Sequence, residues 1–245
     1  IVVLSIWGLR LGIDFTGGSL LEISYSQNRP DLTTMESSLA EFELESLKVQ
    51  PAGEHEYILR FEEIDEDTHQ NILNKLQTED NQLTENRFEA IGPSIGDELK
   101  TKAIQSIVIV LLFIVIYIAY AFRKVSKPVA SWKYGISAII ALVHDILIIT
   151  GIFAVLGYFF KIEIDSLFVT ALLTILGFSI HDTIVTFDRT RENLIKNKDE
   201  SFKDIVNISV NQTIVRSLNT SITTLFVLLA IYIFGGESIK NFVLA

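Results

Sequence analysis

The chain has no cysteine among its 245 residues. That excludes a disulfide scaffold and a thiolate-bound metal, and leaves the redox compartment open. No G-x-x-x-x-G-K-[ST] loop and no dinucleotide fingerprint occur. Gly17-Gly18 after Asp14 is a turn pair, too short to cradle a phosphate. ATP hydrolysis by this chain is therefore not expected, and no cofactor is indicated. Positive charge is scarce where a nucleic-acid surface would need it: residues 12–98 hold 20 acids against 5 bases. Such a region cannot displace the counterions of a phosphate backbone. The remainder holds 10 acids against 15 bases, so the low isoelectric point of about 4.9 belongs to the first region alone.

Apolar residues, by contrast, make up 49% of the chain, and mean hydropathy is +0.39. Four runs are long enough for a hydrocarbon core about 30 Å thick: 103–122, 135–157, 166–187 and 217–236. Residues 1–11 read as the end of a helix whose beginning is missing, and a further helix starts at 241. The expectation is a fragment with four full spans and two stubs, six in the intact protein. A cleaved signal peptide fits 1–9 poorly, because a basic start and a small-residue cleavage site are lacking. The fold class expected is an α-helical polytopic membrane protein with an inserted α+β domain at 12–98 and a transmembrane bundle at 99–245.

Lys and Arg set the orientation. The loop 123–134 carries Arg123, Lys124, Lys127 and Lys133. The loop 188–216 carries Arg189, Arg191, Lys196, Lys198, Lys203 and Arg216. The opposite loops have one base each, Lys161 and Lys240. Loops 123–134 and 188–216 are thus expected in the cytoplasm and 12–98 outside.

Within 12–98, residues 19–25 alternate like a strand. An Asp-capped helical spacing follows over 31–44. Strands at 47–50 and 57–61 flank a Pro51-Ala52-Gly53 turn. A helix is expected at 65–77 and a last strand at 87–91. The order is β-α-β-β-α-β, a ferredoxin-like arrangement that by itself says little about function. Gly12, Gly17-Gly18 and Pro93 break regular structure at the two stems and read as a joint.

Chemistry is carried by charges inside the spans. An acid in hydrocarbon costs roughly 2.5–3.5 kcal/mol on insertion scales. Asp182 lies 16 residues into 166–187, about 24 Å deep at 1.5 Å per residue. Asp145 lies ten residues into 135–157, about 15 Å deep and near the midplane. Arg216 stands where the last full span enters from the inside, at a depth similar to that of Asp182, and the two are expected to pair. Arg216, Thr220 and Thr223 or Thr224 share one helix face, and Ser179, Asp182 and Thr186 another. Two converging polar stripes read as the lining of a wet path. Beside this stand plainer readings, Arg216 as an interfacial anchor and Asp145 as a satisfied structural acid. His144-Asp145 and His181-Asp182 form HD pairs like those of metal phosphohydrolases. The other histidines, His55 and His69, lie in the outside region, so no metal site is expected. An aspartyl protease dyad is disfavoured because no G-x-G-D setting surrounds Asp182.

LGIDFTGGSLLE (11–22), IGPSIGDEL (91–99), LLTILGFSIHDTIVTFDRTREN (172–193) and VRSLNTSITTL (215–225) occur in order along almost the whole chain. Together they resemble the SecF family of the SecD–SecF accessory complex, within the resistance-nodulation-division superfamily. The resemblance implies a non-enzymatic subunit that uses the proton or sodium gradient to assist protein export beside the SecYEG channel. It implies SecD, SecYEG, YajC, YidC, translocating preproteins and membrane lipid as partners. The family's ion-coupling residues map to Asp182 and Arg216, with His181 standing where the family usually has Asn. Asp145, Ser179, Thr186, Thr220 and Thr224 are the secondary polar lining. A small-molecule or lipid exporter of the same superfamily is the alternative, although a region of 12–98 is small for a substrate funnel. A passive scaffold would tolerate loss of Asp182.

Overall fold

The computed structural model describes residues 2–77, 82–122, 131–197, 199–236 and 239–245. The basic segment 123–130, Lys198 and residues 237–238, which enter the orientation argument, lie outside the described residues. The chain divides into two compact units, Leu11–Lys102 and Ile1–Arg10 with Ala103–Ala245.

In the first unit, a single turn α2 (Ile13–Thr16) leads into strand β1 (Gly18–Tyr25). Helix α3 (Leu32–Leu39) follows and tightens into a 3-10 turn at Ala40–Phe42. Strands β2 (Lys48–Ala52) and β3 (Glu56–Phe61) form a hairpin, and helix α4 (Glu66–Leu76) precedes β4 (Leu83–Ile91). The sheet is antiparallel with order β2-β3-β1-β4. Alternation along β1 sends Leu21, Ile23 and Tyr25 to one face. There they meet Tyr57, Leu59 and Phe61 of β3 and the inner faces of α3 and α4, supplied by Met35, Leu39, Ile72 and Leu76. Burial pushes the Tyr25 hydroxyl up to about 12, with the neighbouring Tyr57 adding to the effect. Asp65 caps α4 by accepting the Thr68 amide at 2.9 Å, and hydrogen bonds from the Thr68 side chain and then its amide lower the Asp65 pKa.

One local expectation changes. Pro51 and Ala52 are not a turn; they pair with Tyr57 and Glu56 as part of β2. β2 is an edge strand, so the N–H that proline lacks is not needed by a second neighbour. The turn falls instead on Gly53, at φ +54°. Gly17-Gly18, expected as part of a joint, is closely packed. Gly17 has φ +72°, and a Cβ there would lie 2.8 Å from Pro93 Cα. Gly18 has φ +113°, and a Cβ there would lie 2.7 Å from the Phe61 carbonyl oxygen. The pair lets the start of β1 press between two backbones.

The second unit is helical. The described residues contain four helices long and apolar enough to cross a membrane: α5 (Pro93–Ala121, which begins in the first unit), α6 (Ser131–Phe160), α7 (Ser166–Lys196) and α8 (Phe202–Phe234). The short α1 (Val2–Trp7) packs on α6, with Trp7 stacked on Tyr158 at 4.6 Å. Nearby, Arg10 Nε donates to Glu163 at 3.0 Å. α9 (Lys240–Leu244) packs on α7 and α8. An apolar cluster of Ile118, Phe122, Tyr134, Leu142, Leu176 and Ile180 joins α5, α6 and α7. Outside it the spans remain largely apolar and exposed; Leu112, Phe113, Ile140, Phe226 and Ile233 are examples. Such surface needs lipid or another protein around it.

The expected loop 188–216 is mostly helix. α7 has 31 residues and α8 has 33, roughly 46 and 50 Å long, so both outrun a core of about 30 Å. The charges that look like a loop are spaced to brace a helix: Arg189 and Lys196 both bond Glu192, at 2.5 and 2.6 Å. Ser201 then caps α8, accepting the Asp204 amide at 3.3 Å.

Candidate functional site

α7 starts at a capping Asp165, whose side chain accepts the Phe168 amide at 2.8 Å. Along α7 the threonine hydroxyls turn back to their own helix: Thr170 to Ser166 O, Thr174 to Thr170 O and Thr183 to Ser179 O, at 3.1, 2.8 and 3.0 Å. On α8, Thr220 and Thr223 do the same, toward Arg216 O and Asn219 O. Hydroxyls satisfied in this way can sit in hydrocarbon without a partner helix. The functional weight therefore falls on the groups that cannot satisfy themselves.

Asp182 is the foremost of these. It lines a cavity of about 370 Å³ between α7, α8 and α9, together with Ser179, His181, Thr220, Ser221 and Thr224. Phe178, Leu225, Leu228, Phe242 and Val243 supply the apolar walls. The Asp182 side chain has no hydrogen-bond or ion-pair partner among the described residues and is half-buried. The cavity thus presents one carboxylate among apolar walls and hydroxyls that it does not bond.

Arg216 is elsewhere. It lines a second cavity of about 530 Å³ with Asp188, Arg189, Glu192, Gln212 and Thr213, next to Tyr117 and Phe122. The expected Asp182–Arg216 ion pair is absent among the described residues. Similar depth does not give contact, because each residue step turns a helix by about 100° and the two side chains leave their helices into different spaces. Arg216 is exposed and shares its cavity with acids near the charged ends of α7 and α8.

The remaining expected residues divide as follows. Ser179, Thr220 and Thr224 share the cavity of Asp182. Thr186 is drawn into the α7–α8 contact, its hydroxyl 3.2 Å from that of Thr213. Asp145 on α6 accepts the Ser179 hydroxyl at 2.5 Å and lies 3.2 Å from His144 Nδ1.

Sequence reasoning missed two features. One is the contribution of α9 to the cavity wall, through Phe242 and Val243. The other is a polar seam between α7 and α8. Buried Asn193 donates to Ser209 and Gln212, both at 2.9 Å, and Arg189 donates to Gln212 at 2.7 Å. Asn193, Ser209 and Thr213 are buried, as is Thr190. The small polar pair Ser209 and Thr213, four residues apart, was the available signal.

These observations define a class: a multi-pass helical membrane protein carrying a small antiparallel α+β unit and an acid-bearing cavity inside its bundle. Known proteins narrow it. The family described as protein export membrane protein SecD/SecF, C-terminal, matches residues 71–245, and the SecD/SecF GG motif matches residues 3–28. The chain is 45% identical to protein translocase subunit SecF of Thermobaculum terrenum, over all of this chain and 80% of that one. It is 33% identical to protein translocase subunit SecDF of Brucella abortus, over 97% of this chain and 30% of that one. The crystal structure of SecDF from Thermus thermophilus, a translocon-associated membrane protein, superposes with a TM-score of 0.83 at 29% identity. That match covers 99% of this chain and 32% of the solved one, so the chain spans about a third of that structure. The chain belongs to the SecF family of protein translocase subunits.

Proposed function

We propose that this chain is an accessory membrane subunit of the Sec export machinery, and that it couples the proton or sodium gradient to late steps of protein translocation. The observation that carries the coupling is Asp182, half-buried and unpaired in a cavity whose other polar groups are hydroxyls. A guanidinium brought to the carboxylate would take the proton's place as its partner. In the arrangement described here Arg216 is held away, beside Asp188 and Glu192. A movement of α8 that carried Arg216 toward the cavity would release the proton, and proton arrival would reverse it. One charge crossing 100 mV supplies about 2.3 kcal/mol. That is enough to bias a two-state helix arrangement roughly 50-fold.

SecD is the partner, a reading supported by the occurrence of SecDF as one chain in a relative. Exposed apolar faces on α5 and α8 are the surfaces that SecD helices and lipid would cover. SecYEG, YajC and YidC are the further partners, and the cargo is a preprotein. Residues 12–98 form a ferredoxin-like domain on the outer side of the bacterial inner membrane. The β-α-β-β-α-β order and the sheet order β2-β3-β1-β4 support that reading. Gradient-driven export with Asp182→Asn and Arg216→Met tests the proposal. Both variants abolish the gradient dependence while the complex assembles, and His181→Asn costs less. Full gradient-dependent export by Asp182→Asn overturns it.

A further inference from the structure

We propose that Asp145 is a second proton-binding residue, joined to Asp182 through the Ser179 hydroxyl. The inference rests on the reading of Asp182 as the coupling carboxylate. Three placements carry it. Ser179 and Asp182 stand three residues apart on α7, neighbours on a helix surface, and line the same cavity. The Ser179 hydroxyl does not return to its own helix, as those of Thr170, Thr174 and Thr183 do; it donates across to Asp145 on α6 at 2.5 Å. Asp145 is itself only half-buried and is flanked by His144, whose ring nitrogen lies 3.2 Å away and whose side chain is 68% exposed. His144 lines a separate apolar groove with Val143, Leu147 and Gly151. Asp182, Ser179, Asp145 and His144 thus form a line of polar groups running from the cavity through the α6–α7 contact to the far side of α6.

Among the described residues His144, on its own helix, is the titratable group in contact with Asp145, and His181 and Asp182 are the titratable residues on the adjoining stretch of α7. α1, which packs on α6, has none. The α5 residues of the shared apolar cluster, Val110, Leu111 and Ile114, have none either.

The transfer balances. Once the Asp182 carboxyl has turned to meet Ser179 Oγ, which it does not bond in this structure, its proton passes to that oxygen while the Ser179 hydroxyl proton passes to the Asp145 carboxylate. Asp182 ends charged, Asp145 ends neutral, and Ser179 remains a hydroxyl. A serine is suited to this because it both donates and accepts. The same transfer changes the α6–α7 contact, because a protonated Asp145 no longer demands the Ser179 proton. Proton arrival at the cavity is thereby felt on α6.

The test uses the full chain with its SecD partner in membrane vesicles, with gradient-driven export measured across pH. Asp145→Asn removes one ionisation from the pH profile, Asp145→Glu retains it, and Ser179→Ala slows gradient-driven export by at least about tenfold. Carbodiimide labelling, which requires a protonated carboxyl, read by mass spectrometry, modifies Asp145 in a pH-dependent manner in the purified complex. Ser179→Ala alters that dependence. An Asp145→Asn variant with an unmoved pH profile, or an Asp145 that never labels while Asp182 does, overturns the proposal and leaves Asp182 in place. Loss of the Asp182 role instead appears as full gradient-driven export by Asp182→Asn. Where Asp145→Asn fails to accumulate, Ser179→Ala and the labelling decide.

Discussion

A methyl group added at Gly18 tests the packing at the start of β1. The residue sits at φ +113°, a region that L side chains rarely adopt, and a Cβ would lie 2.7 Å from the Phe61 carbonyl oxygen. Phe61 is paired with Ser19 in the β1–β3 ladder, so its carbonyl cannot move aside without disturbing the sheet. A strained backbone costs about 1–3 kcal/mol, and overpacking of a filled site costs a similar amount. Gly18→Ala is therefore expected to destabilise the unit by roughly 2–6 kcal/mol. For a domain of this size 1 kcal/mol moves the midpoint by about 4–8 °C, so the melting temperature falls by at least roughly 8 °C. Gly53 provides the control: it too has positive φ, at +54°, but its Cβ would meet nothing closer than a Glu56 carboxylate oxygen at 3.9 Å. Gly53→Ala is expected to cost only the strain. The assay is thermal melting of a soluble 11–102 fragment, followed by circular dichroism. If Gly18→Ala melted within a few degrees of Gly53→Ala, the close approach of the two backbones would not be what the glycine serves.

Acid should weaken the same unit. Hydrogen bonds from Thr68 lower the folded-state pKa of Asp65, and those from Thr34 and Thr33 lower that of Asp31. For a depressed carboxylate the contribution is present above the unfolded value and is lost as pH falls through the folded one. Asp65→Ala is expected to flatten the acid limb of a melting-temperature profile, and an unchanged limb would count against the cap. Thr186→Cys with Thr213→Cys should form a disulfide readily on mild oxidation, since the native hydroxyls are 3.2 Å apart and the chain has no other cysteine. Failure to cross-link, read on a gel, would refute the α7–α8 register. A Ser201→Cys variant should be shielded from an impermeant thiol reagent added outside intact cells, and labelling there would invert the assigned topology.

Several features were legible before any coordinates. Membrane-length helices show in composition alone, because hydrocarbon demands about twenty apolar residues whatever packs beside them. The small unit's strands and helices show in their periods of two and 3.6. Legibility failed where one local signal has two meanings. The charged run after Phe187 looked like a loop because charge usually marks water. Here Arg189, Glu192 and Lys196 are spaced to brace a helix that has already left the core. Pro51 looked like a turn because proline usually interrupts sheets, yet an edge strand tolerates it. Gly17-Gly18 was visible as a glycine pair, but its reason was not, since Pro93 lies far away in sequence.

The sequence by itself determined most of the elements and how far along its helix each charge stands. Depth is a count of residues multiplied by a fixed rise. It also placed an excess of acids in one region and an excess of bases in the other, which is a matter of composition. Tertiary structure decided which charges meet. Asp182 and Arg216 enter facing helices at similar depth, yet one lines a cavity closed by α9 and the other lines a cavity shared with Asp188 and Glu192. Ser179, expected in the sequence only as one member of a polar stripe, reaches Asp145 thirty-four residues away. Depth is a property of one helix, whereas contact depends on how two helices are rotated against each other. That rotation is set by the packing of all their apolar faces together.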